Sequence, residues 1–241
     1  MALPSAPSHT NISVSVPQSP PTIRLLLDRL EKFYGRQAPG FPVDPYEFLI
    51  WWYCGYPASD RACGKGWERL TKDIGVEPEK LLQAAPAKLA AALQPGGLFP
   101  ELRAERLKET ALRVLDQFGG DLRAVLTGPI SQARKTLKSF HSIADPGADR
   151  ILLFAGIAPL AAVPSNCVHV LIRILRGKES QNYAANYREA QRLIAASVPE
   201  TLAARTRAYL LLKQHGQTLC KSTKPKCAEC PLASGCAYVN Q

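Results

Sequence analysis

Four cysteines near the C-terminal end, Cys220, Cys227, Cys230 and Cys236, follow one another as C-x6-C-x2-C-x5-C. Thiolates are soft ligands, and four of them this close suit an iron–sulfur cluster or a structural zinc ion. Structural zinc usually draws on two separated cysteine pairs with short spacers. Two disulfides, the remaining alternative, belong mainly to small secreted domains. The unpaired first and last spacers favour a cluster wrapped by a single segment, so a 4Fe–4S cluster is the expected cofactor, held by those four cysteines. The first spacer carries Lys221, Lys224 and Lys226. Lysines act as mobile point charges toward phosphate oxygens, without sequence readout. Cys54, Cys63 and Cys167 stand alone and read as core thiols.

The chain that must position these groups has 241 residues, 46% of them hydrophobic, and a formal net charge of +10. This is enough for one large domain or two modest ones. The basic excess favours a polyanionic partner, nucleic acid first. The longest apolar run, residues 151–163, is broken by Gly156 and Pro159 and falls short of the ~20 residues of a spanning helix. No basic stretch followed by an apolar one opens the chain, and the free cysteines imply a reducing compartment. A bacterial cytoplasmic, nucleoid-associated protein acting as a monomer is therefore expected. No Ser/His/Asp set, phosphate-binding loop or dinucleotide fingerprint is present.

The expected fold class is all-α. Residues 1–20, rich in Ser and Pro, read as a disordered tail. Ile23, Leu26, Leu27, Leu30 and Phe33 form one face of a helix over 22–34. Asp44-Pro45-Tyr46-Glu47 is a helix start, and Phe48, Leu49, Trp51 and Trp52 make that helix central. Further helices are expected over 59–72, after Pro78, and over 101–118, 129–139, 148–155, 165–175, 182–195 and 201–215. The helix over 129–139 carries Arg134, Lys135 and Lys138 on its polar face. His169 reads as a buried, hydrogen-bonded histidine. His215 reads as a C-terminal helix feature.

The cysteine spacing, together with a helix, tight turn and helix over 129–155, resembles the endonuclease III-like helix-hairpin-helix DNA glycosylase superfamily, over about residues 22–238. The resemblance implies two helical lobes: a barrel over 38–158 that contains the hairpin, and an iron–sulfur domain made of 21–37 plus 159–241. DNA would lie between them. In that family the hairpin turn reads Leu-Pro-Gly-Val-Gly, and its backbone N–H groups face a phosphate. Here the turn is Phe140-His141-Ser142-Ile143-Ala144, so Ser142 and Ala144 replace both glycines. Asp145 and Asp149 add negative charge there, whereas Pro146-Gly147 could rebuild the turn and Arg150 supply positive charge.

In the same register, Val163-Pro164-Ser165-Asn166 falls on the family's Val-Asp-Thr-His. Pro164 then occupies the catalytic Asp position, and Pro146 that of the Schiff-base Lys. Neither proline can stabilise the developing sugar cation or attack C1′. The Gln that fills the vacated stack falls at Pro57, and Leu98 sits where the family inserts an apolar wedge. The implied DNA-binding residues are Leu98, Lys135, Lys138, Ser142, Ile143, Ala144, Arg150, Lys221, Lys224 and Lys226. No catalytic residue is assigned. The resulting reading is a binder of damaged or distorted double-stranded DNA without strand-cleaving lyase activity. The alternatives are a monofunctional glycosylase using a relocated carboxylate, Asp145 or Asp149, and an iron–sulfur protein that no longer uses DNA.

Overall fold

The computed structural model describes residues 22–240, and the expected N-terminal tail lies outside them. Among the described residues the chain forms twelve α-helices, short 3-10 turns and no strand. In chain order the helices are α1 (Ile23–Tyr34), α2 (Pro45–Tyr53), α3 (Asp60–Asp73), α4 (Pro78–Gln83), α5 (Pro86–Leu93), α6 (Pro100–Phe118), α7 (Leu122–Leu126), α8 (Ile130–Lys138), α9 (Asp145–Phe154), α10 (His169–Arg176), α11 (Tyr183–Ser197) and α12 (Leu202–Thr218).

The helix starts follow local chemistry. Asp44 accepts from the Tyr46 and Glu47 amides with Pro45 at the first position, and Thr22, Ser59, Asn182 and Thr201 cap α1, α3, α11 and α12 in the same way. Each such cap is worth about 1 kcal/mol.

Several boundaries differ from expectation. Helices α5 and α7 were not expected. Helix α9 begins at Asp145 rather than residue 148, because Ala144 is extended and Pro146 fits the first turn. Helix α10 is preceded by a 3-10 turn at Ser165–Cys167. Phe33, expected in the core, is 53% exposed; the half-buried Tyr34 packs against the core beyond Leu30 instead.

The buried side chains gather in two large clusters. One runs from Phe41 to Leu152 and centres on Trp51, Leu89, Leu93 and Leu107. The other joins α1 to residues 163–236 through Leu26, Leu30, Leu171 and Leu211. Leu153, Ala162, Tyr209 and Leu210 form a small third cluster, against which Phe154 packs. Burial of this kind is worth about 25 cal/mol per Å² of apolar surface.

Candidate nucleic-acid interface

The turn between α8 and α9 keeps a tight shape without its glycines. Ser142 has φ +60°, the left-handed conformation that glycine adopts freely. Ile143 is buried beneath the turn. The Tyr53 hydroxyl donates to the His141 carbonyl at 2.7 Å, and Arg113 Nη1 donates to the Ser139 carbonyl at 2.7 Å. Ala144 provides no side-chain cap, which leaves the Asp145 and Gly147 amides at the start of α9 available, since Pro146 has none and Ala148 bonds the Ala144 carbonyl. Asp145, the acid expected to oppose a phosphate, is exposed and paired with Lys138 at 2.6 Å. Lys135 is exposed on the same helix as Lys138.

Beside this turn lies a pocket of about 210 Å³. Phe48, Trp52, Tyr56, Tyr183 and Tyr209 are among its lining residues. Ser142, Ile143, Ala144, Pro146, Gly147 and Arg150 supply the hairpin side, and Ser165 closes the ring. Trp52 and Tyr56 stack at 4.4 Å between centroids. Such faces suit a flat aromatic guest. None of the lining residues carries a carboxylate. Pro164 is buried one residue before Ser165.

Arg150 differs from its expected role. It is 6% exposed and turned inward, so its charge is not displayed at the hairpin surface. The guanidinium lies 4.0 Å from the Phe41 ring centroid and 4.9 Å from that of Phe48. Its Nη2 donates to Asp60 at 3.0 Å, and Lys213 of α12 shares that carboxylate. Burial pushes the Asp60 carboxyl upward, but Arg150 and Lys213 overcome it and hold the group below its ordinary range. Two buried donors of the pocket residues, Arg150 Nε and Trp52 Nε1, have no acceptor.

Asp149 is fully enclosed. It accepts from Arg134 at 2.7 Å, Gln191 at 2.8 Å and Tyr187 at 3.3 Å, which ties α8 and α9 to α11. Neither Asp145 nor Asp149 lines the pocket.

At the other end, Cys220, Cys227, Cys230 and Cys236 border one cavity of about 20 Å³, together with Arg173 and His215. Among the described residues no three His, Cys, Asp or Glu side chains are grouped as ready metal ligands. Burial raises the Cys220 thiol to about 11, against the pull of Arg173. The loop is held by Arg173, which donates to the Lys221 and Ser222 carbonyls at 2.8 and 3.0 Å.

His215 lies in the last turn of α12, as expected, but its ring faces Tyr34 and Cys230 rather than the terminal carbonyls. It is fully buried, its Nδ1 is 3.0 Å from the Tyr34 hydroxyl and its Nε2 is 3.7 Å from Cys230 Sγ. His169 is half-buried and bonds the Cys220 carbonyl at 2.7 Å. Lys221, Lys224 and Lys226 are exposed, Lys226 within 3.4 Å of Glu229. Cys54, Cys63 and Cys167 are buried thiols.

The aromatic lining could not be read from sequence, because Phe48 and Trp52 of α2 and Tyr56 just after it meet Tyr183 of α11 and Tyr209 of α12 only once the helices pack. Leu98 is 76% exposed, free of the packing that usually holds an apolar loop residue.

No family model matches the chain. It is 25% identical over 157 residues to a thymine/uracil-DNA glycosylase of Pyrobaculum aerophilum, which spans 65% of this chain and 64% of that protein. A thymine/uracil-DNA glycosylase of Methanothermobacter thermautotrophicus is 26% identical over 162 residues, 66% of this chain and 67% of that protein. Among solved structures, a trapped endonuclease III–DNA covalent intermediate superposes with a TM-score of 0.70 at 19% identity, covering 90% of this chain and 95% of that one. A thermostable thymine-DNA glycosylase gives 0.69 at 23% identity over 90% and 96%. The chain thus has the fold of the endonuclease III-like helix-hairpin-helix glycosylases, at low sequence identity.

Proposed function

We propose that this chain binds double-stranded DNA at damaged or distorted sites and receives an extruded nucleotide in the aromatic pocket beside the α8–α9 turn. The observation that carries this reading is the pocket itself. It is lined by five aromatic side chains and a buried cation, and lies against a hairpin whose turn holds Ser142 in the left-handed conformation. Extrusion into such a pocket is how proteins reach a base that is stacked in a duplex.

Phosphate contacts would come from the free amides at the start of α9, from Lys135 and Lys138, and from Lys221, Lys224 and Lys226 at the cysteine loop. Leu98 would enter the stack. With prolines at 146 and 164 and no carboxylate in the pocket lining, base removal by the family's usual groups is not expected, nor is strand cleavage through a lysine.

We further infer that Cys220, Cys227, Cys230 and Cys236 hold a 4Fe–4S cluster. Four thiols bordering one cavity, on a loop anchored by Arg173, fit its all-sulfur donor set. The cluster would order the loop, since ligation is coupled to folding. On this reading the division into a barrel over 38–158 and a cluster domain of 21–37 plus 159–241 follows the two large buried clusters.

A second reading is a monofunctional glycosylase. Asp60 bonds the pocket residue Arg150 and could reach the reacting sugar after a rearrangement. The thymine/uracil-DNA glycosylases that resemble this chain make uracil or thymine mismatches the first substrates to test.

The test is a binding and cleavage assay on duplexes bearing an abasic site, thymine glycol, a uracil or thymine mismatch, or no lesion. The expected result is lesion-selective binding that weakens steeply with salt and yields no product. Base release abolished by Asp60→Asn would establish the second reading. Absence of salt-dependent binding to any duplex would overturn both.

A further inference from the structure

The C-terminal end of α12 carries a chain of hydrogen bonds that ends on one of the four loop cysteines. Thr218 Oγ1 lies 2.8 Å from the Gln214 carbonyl and 2.9 Å from the Tyr34 hydroxyl of α1. That hydroxyl is 3.0 Å from Nδ1 of His215, and Nε2 of the same ring is 3.7 Å from Cys230 Sγ. His215 is 0% exposed. The Leu232 amide also donates to Cys230 Sγ, at 3.4 Å.

A hydroxyl carries one hydrogen, and so does a neutral imidazole. Burial disfavours the charged ring. The hydrogens of this chain can therefore run in either direction. Toward Cys230 as a free thiol both directions are open, because a thiol donates as well as accepts. Toward Cys230 as a metal-bound thiolate only one is open. The sulfur then has no hydrogen and only accepts, so Nε2 must carry the ring proton. Nδ1 is left bare and accepts from Tyr34, and Tyr34 accepts from Thr218.

We propose that His215 donates its Nε2–H to the ligating sulfur of Cys230, that Tyr34 is the positioning residue that fixes this tautomer, and that the bond raises the reduction potential of the bound cluster. The proposal rests on the cluster reading above. One electron added to an iron–sulfur cluster increases the negative charge on its sulfurs, and an N–H aimed at a ligand sulfur stabilises that charge. No bond of the protein forms or breaks, and the electron comes from the electrode of the test. The same chain of bonds ties the cysteine loop to α1 across the second buried cluster.

The test uses the full chain, purified anaerobically, with iron and sulfide analysed before each measurement. Nitrogen NMR of isotope-labelled histidines in the parent should show His215 protonated at Nε2, its signal identified by its loss in His215→Gln. His215→Leu removes the donor; at a fixed potential its oxidised-to-reduced ratio should rise by about tenfold, a fall of about 59 mV in the midpoint of a one-electron couple. His215→Gln keeps an N–H and should recover part of that fall. Tyr34→Phe keeps the ring of residue 34 and should give a smaller fall in the same direction, with both tautomers present at His215.

A parent ring protonated at Nδ1 overturns the donation, and the parent spectrum decides where a variant fails to load the cluster. A parent-like midpoint in cluster-loaded His215→Leu overturns the effect on potential. A parent-like midpoint and a single tautomer in Tyr34→Phe overturn the role of Tyr34. A parent without iron and sulfide overturns the cluster reading itself, a result distinct from the other three.

Discussion

The two ends of the candidate interface depart from the resembled family in opposite ways. At the α8–α9 turn the residue types have changed while the backbone shape is kept, with Ser142 standing left-handed where the family pattern has glycine. At the C-terminal loop the residue types are kept, four thiols in the family spacing, and they surround a small cavity. A backbone-amide site tolerates substitution because every residue but proline supplies the donor. A ligand set does not, because only particular side chains supply thiolates. On the proposed function, the hairpin could therefore drift in sequence and still face a phosphate, whereas the loop could not lose a cysteine and keep its cluster.

That contrast can be broken most directly at the loop. Replacing Cys236 by Ser should remove iron and sulfide from the purified protein and lower its stability by roughly 4 kcal/mol or more, the scale expected for losing a ligand bound at a thousand times its Kd. Iron and sulfide analysis with thermal unfolding checks this, and full iron retention would mean that the four thiols are not the ligand set.

At the hairpin, the largest effect should come from Asp149. Asp149→Ala leaves Arg134, Gln191 and Tyr187 without their shared acceptor and should cost about 3 kcal/mol in denaturant unfolding, as breaking a buried pair does.

Asp60 should give a smaller, pH-dependent loss. Asp60→Asn should cost roughly 2 kcal/mol at neutral pH, less than a full orphaning because the carboxylate is 27% exposed. Its folded-state pKa lies below the unfolded value of 3.8, so the folded state binds fewer protons in that window. The advantage of the parent is then complete above pH 3.8 and should close as pH falls through the folded-state value. A gap that persists unchanged at lower pH would show that the carboxylate charge contributes nothing.

The smallest effect sharpens the comparison. Ser142→Gly should stabilise by about 0.5–1 kcal/mol, through relief of the left-handed strain, and leave DNA affinity intact or raised. Destabilisation would mean that the Ser142 hydroxyl, and not the backbone, sustains the turn.

How much of this was legible depends on how local each signal is. The start of α2 was readable because Asp44, Pro45 and Glu47 act within one turn, and the stripe of α1 because its period is short. Helix α5 escaped because its alanines offer little contrast between faces, and α7 because it spans a single turn between glycines. Phe33 was misassigned because helical spacing allows position 33 or 34 to continue the stripe, and only the contact of Tyr34 with His215 decides it. The cysteines announced themselves by type and spacing. The pocket did not, since residues as far apart as Phe48 and Tyr209 meet only after the helices pack. Arg150 was unreadable as a buried cation, because arginine in a helix is ordinarily a surface residue.

Helix α9 is gripped along its length. Asp149 fastens it to α8 and α11, Arg150 reaches Asp60 at the start of α3, and Phe154 meets the Tyr209 ring of α12 at 5.1 Å. Mechanically it is a beam clamped by its neighbours rather than a free cantilever. A load applied at its N-terminus is shared by both halves of the molecule, and little deflection results. If, as proposed, a double helix with a persistence length of about 50 nm, kinked readily at flexible steps, bears on such a beam, it is the double helix that should yield.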